Sequence, residues 1–132
     1  IYIYTLLMAT IHYDSKEEGN LFPMRRVDIS RDVAIKYGIK EVLVLLRRHR
    51  KGDFGKSGTF AKKVSKDILE NGPFATSDDR LLNSACILTK GKAFGTVLSV
   101  YSTSGEGSDN IWVYSCPYAD PPTTEVFYAH EY

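Results

Sequence analysis

From Phe94 onward the residue pattern takes a period of two, and this constrains the fold more than any other feature of the chain. Phe94, Thr96, Leu98 and Val100 fall on one face of an extended segment, and Val97, Ser99 and Tyr101 on the other. The Gly- and Ser-rich stretch Ser102–Asn110 separates this segment from Ile111–Cys116, and Pro117–Pro122 separates that one from Thr123–Tyr128. Short strands joined in sequence by turn material predict an antiparallel meander.

The preceding part of the chain has a helical character. Ser30 is suited to cap a short helix from Arg31 to Tyr37, which Gly38 ends. A second helix is expected from Lys40 to about His49. Its run Val42–Leu46 would also suit a buried strand, but Arg47 and Arg48 favour a helix C-terminus. Lys51–Thr59, with three glycines, reads as a loop, and Phe60–Asn71 as an amphipathic helix with Val64, Ile68 and Leu69 inward. Ser77 or Asp78 should cap another helix reaching about Cys86. Residues 1–13 alternate β-branched and aromatic side chains as a strand would, and Asp14–Pro23 is turn-rich.

Helices before a sheet give an α+β domain. The expectation is a single domain over 1–132, with N-terminal helices (30–86) packed on a C-terminal antiparallel meander (94–128) of three to four strands. Residues 1–20 form an edge strand or an extension, with Met8 a natural start. At 132 residues and 43% hydrophobic content, the chain can bury a core without a disulfide framework. Cys86 and Cys116 have no metal-ligand spacing and suit free thiols in a reducing compartment. The apolar N-terminus is too short to span a bilayer, so a cytoplasmic protein without membrane contact is expected.

The net charge of +1 argues against a dedicated nucleic-acid binder, but it hides a polarity. Residues 21–66 carry 13 Lys and Arg against four acids, a net of +9, whereas residues 67–132 carry a net of −6. Such a distribution can orient a charged partner.

Chemistry could reside in His49-Arg50-Lys51-Gly52-Asp53-Phe54-Gly55. An imidazole among Arg47, Arg48, Arg50 and Lys51 should have a depressed pKa and serve as a neutral base, with Asp53 orienting it. The alternative is a helix terminus, with His49 at the last carbonyls and Gly52 left-handed. On the sheet, Ser99 and Tyr101 share one face and Trp112 and Tyr114 another. Together with Thr123 and Thr124 they could form an aromatic and hydroxyl patch for a base or small ligand, or a core face. There is no G-x-S-x-G elbow, no phosphate-binding Gly-rich loop with its Lys, and no metal-ligand spacing, so no cofactor is expected.

These residues resemble a group of small plasmid- and phage-borne proteins of uncharacterised function. Their pattern runs H-x-x-G-D-W-G, D-x-x-x-N, S-x-Y, a Trp-led strand, T-T and a terminal E-Y. The matching positions are His49, Gly52, Asp53, Gly55, Asp79, Asn83, Ser99, Tyr101, Trp112, Thr123, Thr124, Glu131 and Tyr132. Phe54 stands in place of Trp and Ser115 in place of Thr. The resemblance implies a mobile-element setting and one shared site for His49, Asp53, Asn83, Ser99, Tyr101 and Thr123.

Three functions follow as expectations. The first is a non-catalytic interaction or inhibitor module that docks a charged protein. The second is a metal-independent ribonuclease, with His49 and Asp53 catalytic, Arg47, Arg50 and Lys51 on phosphate, and Tyr101 or Trp112 stacking a base. The third is a homo-oligomeric binder of a small ligand between Tyr101 and Trp112.

Overall fold

A computed structural model describes residues 7–13, 18–103 and 109–132. In chain order the elements are β1 (Leu7–His12), β2 (Arg26–Ser30), a π-helical turn (Val33–Tyr37) and α1 (Ile39–Arg50). Then come α2 (Lys66–Asn71), a 3₁₀ turn (Gly72–Phe74), α3 (Asp79–Thr89), β3 (Val97–Tyr101), β4 (Ile111–Cys116), β5 (Thr123–Tyr128) and a 3₁₀ turn (Ala129–Glu131).

The sheet has five strands in the order β1-β2-β5-β4-β3, with β2 and β5 parallel and the other pairs antiparallel. This corrects the expectation of a purely antiparallel meander of three to four strands. The strand that overturns it is β2. Val27 and Ile29 are fully buried while Arg26 and Asp28 turn to the opposite face, where Arg26 Nε lies 3.0 Å from Asp28 Oδ1. The period of two is present in Arg26–Ser30, but it spans only five residues and directly precedes a helical stretch. A parallel partner must be reached by a crossover, so β2 meets β5 only after the helices, β3 and β4 have been laid down.

Two further expectations shift. The helix foreseen over 60–71 shrinks to Lys66–Asn71. Phe60 N donates to Gly52 O (2.8 Å) and Ala61 N to Ser84 Oγ (2.9 Å), and these bonds hold the start of that segment out of helical geometry. Ser65 Oγ then accepts from Ile68 N as the cap. The helix starting near Asp78 extends to Thr89, with Asp78 Oδ1 accepting from Arg80 N and Leu81 N. Ser30 Oγ accepts from Val33 N, so it caps the helical stretch 31–37, and Gly38 ends its π-helical part, Val33–Tyr37. The readings for residues 1–6, 14–17 and 104–108 lie outside the described residues.

One face of the sheet carries the core. Val27, Ile29, Val97, Tyr101, Ile111, Val113 and Val126 are buried there with Val42, Leu45 and Leu46 of α1 and Cys86 of α3. On α1 the buried residues are Val42, Leu45, Leu46, His49 and Arg50. The first four follow spacings of three, four and seven, so helical geometry sends the imidazole inward with the leucines. Cys86 and Cys116 are free thiols, and burial raises the pKa of both. Among the described residues no helix is long and apolar enough to cross a membrane.

Candidate functional site

Distant polar residues do meet beneath the sheet, but in a sealed place. His49 is fully buried, with Nδ1 2.6 Å from Ser99 Oγ and Nε2 2.8 Å from Ser115 Oγ. Ser115 Oγ continues the chain to Thr124 Oγ1 at 2.6 Å. All three hydroxyl residues lie on the core face and are buried. A neutral imidazole has one donor and one acceptor nitrogen, and a hydroxyl can take either role, so the row satisfies itself without solvent. Phe22 closes it edge-on, its ring centroid 5.1 Å from that of His49.

Arg50 holds Phe22 in position. Its Nε donates to Phe22 O (3.0 Å), its carbonyl accepts from Leu21 N (2.9 Å), and its guanidinium lies 5.5 Å from the Tyr13 ring centre. The pKa of His49 falls to about 3, and the cause is burial. Desolvation penalises the imidazolium, whereas the neighbouring cations of the sequence reading are not the cause. The imidazole is therefore closed off from solvent: it is the centre of a buried hydrogen-bonded row and does not line an open cleft with Asp53 as the sequence suggested.

Asp53 also departs from its expected role. Its Oδ2 accepts from Arg48 Nε at 2.7 Å and its Oδ1 from Gly55 N at 3.1 Å, so it orients an arginine and a turn rather than the imidazole. The hydrogen bond from Arg48, the largest effect, holds the carboxyl below its ordinary range. The Arg48 guanidinium lies 4.6 Å over the Tyr101 ring, and Tyr101 Oη donates to the Asp53 carbonyl at 2.6 Å. Burial pushes the Tyr101 phenol up.

The loop after α1 serves the sheet edge. Phe54 O accepts from Val100 N (3.1 Å) and Lys56 N donates to Val100 O (2.7 Å), which straps the loop along β3. Gly55, at φ +63°, sits where an added Cβ would come 2.1 Å from Val100 O. Only glycine allows the strap so close. One step along β3, the Asn83 side chain donates to Leu98 O (2.7 Å) and accepts from Leu98 N (2.9 Å). Leu98 and Val100 are the residues whose backbone groups β3 turns away from β4, so this edge is fully bonded.

Trp112 and Tyr101 do not share a patch. The register pairs Tyr101 with Ile111 and Val100 with Trp112, which puts the two aromatics on opposite faces. Trp112 packs with Phe127 and Tyr132, centroids 6.0 and 5.2 Å away, on the second face. Thr123 shares that face, paired with Cys116. Glu131 accepts from Ser30 Oγ and from Tyr128 N, both at 2.8 Å. The residues expected to form one site thus divide between a buried row, a sealed strand edge and the second face.

Two features are open to solvent. A hollow of about 330 Å³ is bounded by Arg48, Asp53, Lys56, Tyr101 and Ser102 among others. Beside it runs the outward side of α1, where Lys40, Glu41, Arg47 and Arg48 are exposed, with Lys51 following. Leu43 and Val44 stand among them, 41% and 58% exposed, and Ile35 on the neighbouring π-helical turn is 60% exposed. The sequence carried a signal for this face. Five apolar residues in a row, Val42–Leu46, cannot all fit the inner stripe of one helix, and Leu43 and Val44 are the two left over. Among the described residues no group of three or more His, Cys, Asp or Glu side chains is placed to hold a metal ion.

Fold and site together define a small α+β domain with a mixed sheet, a polar row locked in its core and a cationic, partly apolar helix face. Comparison with protein-family profiles, with curated proteins and with solved structures gives no match.

Proposed function

We propose that this chain is a non-catalytic interaction module that docks an acidic protein surface on the outward side of α1. The observation that carries the reading is the exposed pair Leu43 and Val44, framed by Lys40, Arg47 and Lys51, with the exposed Glu41 and the Asp53-paired Arg48 beside them. Exposed apolar side chains inside a charged frame suit an anchor-and-rim interface. The cations attract and orient the partner, and the apolar pair supplies contact area once it is docked. The net of +9 over residues 21–66 supports the same sign of partner. The ribonuclease alternative is disfavoured by the burial of His49, and the small-ligand alternative by the separation of Tyr101 from Trp112. A mobile-element setting, which the motif resemblance suggests, would fit an accessory or inhibitor protein.

The test is a selection from a displayed random-peptide library against the folded chain. Enriched peptides should be acidic with one or two apolar anchors. Their binding should weaken with salt and disappear in the Leu43→Asp/Val44→Asp double variant. Enrichment indifferent to that variant, or RNA cleavage by the purified protein that His49→Phe removes, would refute the proposal.

A further inference from the structure

The two edges of the sheet are treated differently. At β3 every backbone group facing away from the sheet is bonded, to Asn83 or to the strap of Phe54 and Lys56. At the other edge, β1 pairs with β2 on one side, and among the described residues no strand lies on its other side. Tyr13 N donates to Arg25 O at 2.7 Å, and the register continues through Ile11↔Val27 and Ala9↔Ile29. By antiparallel alternation the N–H and C=O groups of Thr10 and His12 therefore point outward. Thr10 and His12 are exposed.

Unpaired edges are usually blunted by a charge, a proline, a bulge or a cover. Leu7–Tyr13 contains no Lys, Arg, Asp, Glu or Pro, and its register break lies between Leu7 and Ala9, leaving Ala9–His12 in regular register with β2. Its core-side residues Ala9, Ile11 and Tyr13 pack against the core yet stay only partly buried, so the core margin is open along this strand. An uncharged edge next to an incomplete apolar margin calls for a partner with the same two properties, and β1 itself has them.

We infer that β1 pairs antiparallel with β1 of a second copy, about a two-fold axis at Ile11, to make one continuous ten-stranded sheet. In this register Thr10 of each copy faces His12 of the other as a hydrogen-bonded pair, giving four backbone bonds. Ile11 meets Ile11 as the close non-hydrogen-bonded pair, and Ala9 meets Tyr13, so the two core margins merge. The interface is isologous, as a closed dimer requires.

The experiment is analytical ultracentrifugation of the full chain over a range of concentrations, together with amide hydrogen exchange. A mass of two chains is expected, with protected Thr10 and His12 amides that lose protection on dilution. Thr10→Pro removes an outward N–H without breaking the β1–β2 ladder, and should halve the mass at unchanged circular dichroism. Ile11→Cys should give a covalent dimer on mild oxidation with oxidised glutathione, at a spacing a disulfide accepts. A chain that stays monomeric at every concentration overturns the inference. If its Thr10 and His12 amides are protected all the same, another segment of the chain covers the edge. A dimer whose Thr10 and His12 amides exchange freely also overturns it, and exchange on the native chain decides this even if Thr10→Pro fails to fold.

Discussion

Replacing His49 by Phe keeps an aromatic ring against Phe22 but strips both ring nitrogens from the buried row. The Ser99 hydroxyl then loses its 2.6 Å partner, and Ser115 Oγ keeps only Thr124. A buried hydroxyl left without a partner costs about 1–3 kcal/mol, and Ser115 loses part of that range as well. The expected loss is about 2–4 kcal/mol, or roughly 7–14 °C in Tm for a domain of this size. Adding Ser99→Ala to His49→Phe should recover about 1 kcal/mol, because the stranded group is gone. The native imidazole also sets a pH dependence. Its pKa is about 3 in the folded chain, against about 6.5 when unfolded, so between these values the unfolded state binds the extra proton. Its contribution is complete above about pH 6.5 and is lost as pH falls, at roughly 1.4 kcal/mol per unit at its steepest. Urea unfolding at several pH values measures both effects, and the His49→Phe variant should lack this component of the slope. If His49→Phe unfolds at the same urea concentration as the parent and keeps the parent's acid slope, the buried-row argument fails.

The remaining expectations concern the sealed edge and the open face. Asn83→Ala removes both bonds to Leu98 and should cost about 2–3 kcal/mol, seen in urea unfolding together with faster exchange of the Leu98 amide. Gly55→Ala puts a methyl against Val100 O at a left-handed φ and should cost about 2–4 kcal/mol, with the Lys56 and Val100 amides deprotected in exchange. Leu43→Asp/Val44→Asp alters only exposed positions, so its Tm should stay within a few degrees of the parent while peptide binding is lost. A large drop in Tm would mean that those side chains support the fold.

Much of the local structure was legible because it depends on neighbours in the chain. The caps at Ser30 and Asp78, the helix over Ile39–Arg50 and the strands at 111–116 and 123–128 follow from side-chain chemistry and periodicity within a few residues. The inward direction of His49 was also readable, since it continues the stripe of Val42, Leu45 and Leu46. The basic cluster around it drew the eye to electrostatics instead. β2 was harder, because a five-residue strand is fixed by its sheet neighbours, β1 and, nearly a hundred residues later, β5.

By itself the sequence determined which residues could be helix, strand and turn, that a positive field lies over residues 21–66, and that a histidine and several hydroxyls were available. Only the tertiary structure decided that the imidazole joins Ser99, Ser115 and Thr124 in a dry row, that Asp53 serves Arg48, and that Tyr101 and Trp112 part company across the sheet. The physical reason is that propensity and capping act over one or two turns of chain. Burial and pairing register, by contrast, are set by contacts between segments that the chain brings together from far apart, and those decide whether a polar residue meets solvent or the core.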